Sequence, residues 1–267
     1  MRASLFFFFY ALISAQPTYA FAKLTPAATA AFDRYIELTE ARMNRNLDAA
    51  RFLEIDARPE IKARVRAGET RIESSVTRDN GKPINLPDAL VQDWLGTIFI
   101  PGASIQKVKA VLQDYDNYKV FYKPEVTESR VVNHTGEEYD VFLRLFKKQV
   151  ITVVLNTNYH VRYGMLDQQR MYVNSRSTRI AQVSDPKHPE AREEPAGNDG
   201  GYLWRLNSYW RFEAADGGVY AECEAISLSR DVPMLVGWAI RGFIEKFPKE
   251  SMHNTLAGTK TAVVKQK

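Results

Sequence analysis

Side chains able to do chemistry are few and scattered in this sequence. The four histidines, His134, His160, His188 and His253, fall in no HxH, HExxH or cysteine-paired spacing, so no metal site is expected. A single cysteine, Cys223, excludes an internal disulfide and a thiolate cluster; with no base near it in sequence, it reads as an inert buried thiol rather than a nucleophile. No phosphate-cradling Walker loop, GxGxxG fingerprint or GxSxG elbow occurs, and no cofactor is expected. Acid–base chemistry would have to draw on Arg176, Arg179, Glu224, Tyr139, Tyr159 and Tyr172, provided their strands turn them into a common pocket. Arg176 and Arg179 are three apart, so on a regular strand only one of them faces inward. An inward Arg176 would hold a carboxylate or phosphate head group, and an outward one would be a solvated strand residue.

The elements that must position these groups are written most clearly near the C-terminus. Tyr202, Trp204, Leu206, Trp210 and Phe212 alternate along one strand face, interrupted by Ser208, while Arg205, Asn207, Arg211 and Glu213 occupy the other, which is expected to be wet. From Pro233 to Phe247, helical spacing gathers Leu235, Val236, Ala239, Ile240, Phe243, Ile244 and Phe247 on about half the helix surface. So broad an apolar face needs a broad partner, and a curved antiparallel sheet supplies it. Val219, Ala221, Cys223, Ala225 and Ser227 form a row of small residues on the next strand, which either admits the helix closely or leaves a cavity. Pocket lining is accordingly expected from Tyr159, Tyr172, Trp204 and Trp210 on the sheet and from Leu235, Ala239 and Phe243 on the helix, with Arg176 as a polar anchor. No catalytic residue is assigned.

Earlier in the chain, Met1–Ala22 has a basic start, an apolar run from Leu5 to Ala15, Pro17 and small residues at 18, 20 and 22, the pattern of a secretory signal. The protein is therefore expected to be exported, to the periplasm or the extracellular space. An amphipathic helix should follow from Pro26 to about Phe52, then a basic connection, an edge strand near 69–76 and a hairpin turn at Asp79–Pro83. A short strand at Leu95–Ile100 and a helix capped by Ser104 come next. Strands are expected near 126–133, 138–146, 150–163, 169–183, 202–213 and 219–229, an antiparallel meander broken by a Pro- and Gly-rich loop at 184–201 that should be mobile. The net charge of +4 is interspersed rather than striped, which argues against nucleic acid and permits transient contact with an anionic membrane surface.

Gly96-Thr97-Ile98-Phe99-Ile100-Pro101-Gly102-Ala103, the Asp114-Tyr115-Asp116-Asn117-Tyr118 end of the first helix followed by Phe121-Tyr122-Lys123-Pro124, and the closing Pro233-Met234-Leu235-Val236-Gly237-Trp238 segment together resemble the START-like superfamily, the helix-grip, polyketide cyclase and Bet v 1-like proteins. The resemblance implies an α+β fold, a curved antiparallel sheet wrapped around a long C-terminal helix, and a hydrophobic or amphiphilic ligand such as a lipid, isoprenoid or polyketide between the two. Pro248 should kink or split that helix. The domain division is then a signal at 1–22, a helical and hairpin-like extension at 23–92 that, packed against the grip, would block or complete one end of the pocket, and a ligand-binding domain at 93–264. Non-covalent binding or transfer is the reading preferred; a cyclase, aromatase or hydrolase in the same pocket, or a partner-binding module of the cell envelope, stand as alternatives.

Overall fold

The computed structural model describes residues 22–47, 51–148, 152–186, 191–231 and 238–266, without the side chains of 46, 47 and 238–246. Met1–Phe21, with the expected signal, and Leu235 lie outside the described residues. In chain order the strands are β1 (Ala22–Lys23), β2 (Arg71–Ser74), β3 (Arg78–Asp79), β4 (Lys82–Pro83), β5 (Ala89–Pro101), β6 (Val126–Thr135), β7 (Glu138–Lys148), β8 (Thr152–Met165), β9 (Arg170–Ser184), β10 (Arg192–Glu193), β11 (Asn198–Asp199), β12 (Arg205–Ala215) and β13 (Gly218–Arg230). The α-helices are α1 (Pro26–Leu47), α2 (Pro59–Arg66), α3 (Ile105–Gln113), α4 (Tyr118–Phe121) and α5 (Trp238–Lys265).

The main sheet is antiparallel in the order β2-β5-β13-β12-β9-β8-β7-β6, a meander whose last strand returns to pair with β5. The hairpin joining β12 and β13 turns at Asp216 and Gly217, both at positive φ (54° and 79°), the conformation whose twist matches that of the flanking strands. Ser104 caps α3, its Oγ accepting the Lys107 amide at 3.2 Å. Helix α5 lies along the inner face of the sheet, where a Cβ on Gly96 would come within 2.6 Å of Leu256 Cδ1 and 2.8 Å of Met252 Sδ. The absent side chain is what lets helix and strand approach. Met252, Leu256 and Val263 are buried in that interface together with Ile98, Ile100, Trp210, Phe212 and Ala221. Helix α5 runs from Trp238 to Lys265 with Pro248 inside it, unsplit at that residue, and is held on its C-terminal side by this buried stripe.

Helix α1 of the N-terminal segment lies away from the space beneath α5, and Gln92 at the segment's end lines that space. Helix α1 packs on the opposite, outer face of the sheet, where Ala28, Phe32, Tyr35, Ile36 and Met43 bury against Trp204, Tyr209, Ile226 and Leu228. Strand β2 joins the main sheet with Arg71 opposite Thr97, and the border drawn at residue 92 falls inside β5. The outer row of β12, expected to be wet, is therefore covered: Asn207 and Arg211 are buried. The described parts of the 184–201 loop are tied down as well, β10 pairing with β9 and β11 with β1. No helix among the described residues is long and apolar enough to cross a membrane.

Candidate functional site

Between the inner face of the sheet and α5 lies a cavity of ≈ 280 Å³. Its floor is Val173, Ser175, Ser208, Trp210, Cys223, Ala225, Ser227 and Ser229, its flanks are Gln92 and Trp94 on β5 and Leu143, Leu145, Leu155, Tyr159 and Val161 on β7 and β8, and its roof is Phe247, Pro248, Ser251, Met252 and Thr255 of α5. The space exists because β13 presents its small row inward, opposite aromatic and aliphatic side chains that do not fill it. Ser208, the one break in the apolar row of β12, sits beside Ala225 on β13 and Ser175 on β9, and its side chain meets the cavity instead of packed atoms.

One end of the cavity is a wall of tyrosines from the segment around α3 and α4 and from β8. Tyr163 donates to the Leu112 carbonyl at 2.8 Å, Tyr115 donates to Tyr163 at 2.7 Å, Tyr118 donates to the Leu112 carbonyl at 2.6 Å, and the Tyr122 hydroxyl meets Thr259 Oγ1 at 3.0 Å. Tyr115 packs 4.8 Å from Tyr118 and 5.5 Å from Tyr139, centroid to centroid. Burial holds the phenols of Tyr115, Tyr118 and Tyr163 above their ordinary range and raises Tyr122 and Tyr159 to about 12. They are neutral hydrogen-bonding groups rather than bases. On the β6–β7 side, Lys147 donates to Glu125 and Glu250 at 2.9 Å each, and Asn254 donates to Glu125 at 3.0 Å. Burial works against the Lys147 charge, and the bonds to Glu125 and Glu250 more than restore it, so its pKa stands above the usual ammonium value. Among the described residues no group of three or more His, Cys, Asp or Glu side chains is placed to hold a metal ion. Burial, then the nearby Glu224 and Glu222 carboxylates, push the Cys223 thiol well above its usual range and keep it protonated.

The expected lining residues divide. Tyr159 and Trp210 line the cavity. Tyr172 and Arg176 do not, because Met171, Val173 and Ser175 are the residues of β9 that face inward. Tyr172 lies over Gly164 on the outer face, and Arg176 is exposed there and paired with Glu40 of α1. Arg179 likewise pairs with Glu193 of β10. Trp204 precedes β12, in a bend that ends the alternation, and its ring belongs to the outer core, with Nε1 donating to Asp199 at 3.2 Å. The side chains of Ala239 and Phe243 lie outside the described residues. What residue-by-residue reasoning missed is the tyrosine wall and, apart from Ser227, the serine floor. The wall had a signal in the Tyr115, Tyr118 and Tyr122 spacing at a helix end; the floor had one in Ser208, a polar break in an apolar row.

Glu224 faces away from the cavity, into a polar cluster buried between the sheet and α1. Tyr35 donates to Asp93 at 2.9 Å, Arg42 pairs with Glu224, and both carboxylate oxygens of Glu222 accept the Glu54 amide at 3.1 Å. Arg211 donates to the carbonyls of Phe52 at 2.9 Å and Met43 at 2.7 Å. Burial, then the charge of Glu224, raises Asp93 to about 8, and burial raises Glu222 to about 7. These strongly displaced carboxyls sit on the other side of the sheet from the cavity.

A curved antiparallel sheet closed on a long C-terminal helix, with a cavity between the two, is the helix-grip arrangement. No family model and no curated protein matches the sequence. Among solved structures the chain is similar to a STAR-related lipid transfer protein from Xanthomonas axonopodis (15% identity, 72% of this chain and 99% of that one, TM-score 0.47). It is also similar to the Zhui aromatase/cyclase of a Streptomyces species (11%, 66% and 92%, TM-score 0.42) and to a START superfamily protein from Mycobacterium smegmatis (9%, 66% and 97%, TM-score 0.40).

Proposed function

We propose that this protein binds, and in binding carries, an apolar or amphiphilic small molecule, held non-covalently between the sheet and α5. The observation that supports the reading is the ≈ 280 Å³ cavity with mostly apolar walls under the terminal helix. Displacing water from about 200 Å² of apolar ligand surface, at about 25 cal/mol per Å², is worth about 5 kcal/mol before association costs. Size narrows the class. An apolar cavity of about 150 Å³ accepts one benzene ring, so this one has room for about two or three fused rings or a single short chain. Catalysis is not needed to explain the site: its phenols are neutral and its Lys147 and Glu125 are paired with each other. We further propose that binding takes place after export, on the signal pattern of Met1–Ala22, with at most transient membrane contact.

The test is native mass spectrometry, with organic extraction, of the protein recovered from an exported fraction, joined to N-terminal sequencing. A stoichiometric small apolar molecule on a chain beginning near Phe21 to Lys23 is the expected result. A chain that retains no such molecule and takes up no aromatic probe saturably would sink the binding reading, and an uncleaved chain in the cytosol would sink the export reading.

A further inference from the structure

Besides Tyr159, Ser175, Tyr202, Ser208, Ser251 and Thr255, the polar groups on the cavity wall fall into two sets. The tyrosines at one end donate to one another, to the Leu112 carbonyl and to Thr259, and Lys147 and Glu125, the charged residues among those lining the cavity, pair with each other. Their hydrogen-bonding capacity is largely spent inside the protein. The second set is a strip on the floor. Ser227 and Ser229 both point inward from β13, and Gln92 stands directly opposite Ser227 on β5. Ser229 is 4% exposed, and its Oγ has no hydrogen-bond partner among the described residues. A buried hydroxyl in that condition is a net cost to folding unless something in the cavity engages it.

The chemistry of the strip says what that something is. Serine hydroxyls and a glutamine amide both donate and accept, and none carries charge. A carboxylate or phosphate placed there would be buried without a counter-charge, whereas a hydroxyl or carbonyl would be matched. We infer that Ser227, Ser229 and Gln92 form a subsite for an uncharged oxygen function, a hydroxyl or a carbonyl, on an otherwise apolar ligand. The assignment rests on the reading of the cavity as a ligand site and adds the end of the ligand that the floor recognises. The apolar remainder then points along the cavity past Trp210 toward the tyrosine wall.

Three probes of one size test it by titration calorimetry near neutral pH: 2-naphthol, 2-methylnaphthalene and 2-naphthoate. The wild type should bind 2-naphthol about tenfold more tightly than 2-methylnaphthalene, the worth of about one hydrogen bond, and 2-naphthoate most weakly. In the S227A/S229A double variant the tenfold ratio should collapse toward one, with 2-methylnaphthalene affinity unchanged or raised. The ligand-free double variant should melt at the same temperature as the wild type or higher, because a hydroxyl without a partner is removed; hydroxyls with a purely structural role would lower it. A ratio that survives in the double variant, a tightest-binding 2-naphthoate, or a double variant melting several degrees lower overturns the subsite. Equal binding of 2-naphthol and 2-methylnaphthalene by the wild type also overturns the subsite while leaving the cavity reading intact; binding of no probe overturns both.

Discussion

Ala225 offers a direct way to ask whether the cavity is real. It lies on β13 between Trp94 of β5 and Ser208 of β12, and all three line the cavity. Replacing it by phenylalanine adds about 100 Å³ of side chain, a little over a third of the ≈ 280 Å³ available. At about 24 cal/mol per Å³ of cavity, full use of that space would recover about 2.4 kcal/mol, and imperfect rotamer fit reduces the gain. The expected change in unfolding free energy therefore lies between zero and about 2.4 kcal/mol of stabilisation. The about 180 Å³ left over is close to the space one benzene ring takes, so 2-naphthol should lose at least about tenfold in affinity. Urea denaturation followed by tryptophan fluorescence gives the first quantity and calorimetric titration the second. Destabilisation by about 2 kcal/mol or more with unchanged 2-naphthol binding would refute the reasoning, since that is the signature of forcing a ring into atoms already packed.

Other consequences are as direct. Gly96→Ala puts a methyl against Leu256 and Met252 and should cost about 1–3 kcal/mol in a urea melt; a neutral result would mean that α5 does not lie this close to β5. Leu256→Ala removes a fully buried side chain from the same contact and should cost about 3–5 kcal/mol by the same assay, with a loss under about 1 kcal/mol counting against the observed packing. Asp93 is raised to about 8 by burial and by Glu224, whereas in the unfolded chain it titrates near 4. The folded state thus holds the extra proton across that interval, and stability should fall as pH rises from about 4 to about 8. Asp93→Asn should show a shallower decline, shallower rather than flat because Glu222 remains, so its stability relative to wild type should be higher at pH 9 than at pH 5; parallel profiles would remove the assignment.

The parts of the fold legible in the sequence are those fixed by neighbours along the chain. Two-residue alternation located all of the long strands after Pro124, turn chemistry located the Asp79–Pro83 hairpin, and Ser104 marked the start of α3. The inward facing of Val219, Ala221, Cys223, Ala225 and Ser227 was legible because their small size contrasts with Glu222 and Glu224 between them. Strand β9 gave no such contrast. Tyr172 and Arg176 alternate with Val173 and Ser175, and because each face of the sheet is covered by a helix for part of its length, an aromatic residue is at home on both. Charge misled in the same way. Arg211 read as part of a solvated row with Arg205, Asn207 and Glu213, yet it is buried by a segment that precedes it in sequence by 159 residues or more, a distance no periodicity can register. Trp204 was lost to a shift of one residue at a strand start, enough to place it in a bend.

That long separation also bears on how the molecule comes together. Arg42 meets Glu224 across 182 positions and Glu54 meets Glu222 across 168. Helix α1 leaves the ribosome long before Ile226 and Leu228, which its apolar stripe covers. Its stripe of Phe32, Tyr35, Ile36 and Met43 has no surface to bury against until β12 and β13 have paired, and closing so large a loop is a slow step that local helix formation does not replace. Both layers that flank the sheet, α1 over β12 and β13 and α5 along β5, therefore dock late on strands joined through the β13–β5 pairing, and assembly should behave as one concerted closing event rather than as growth from the N-terminus.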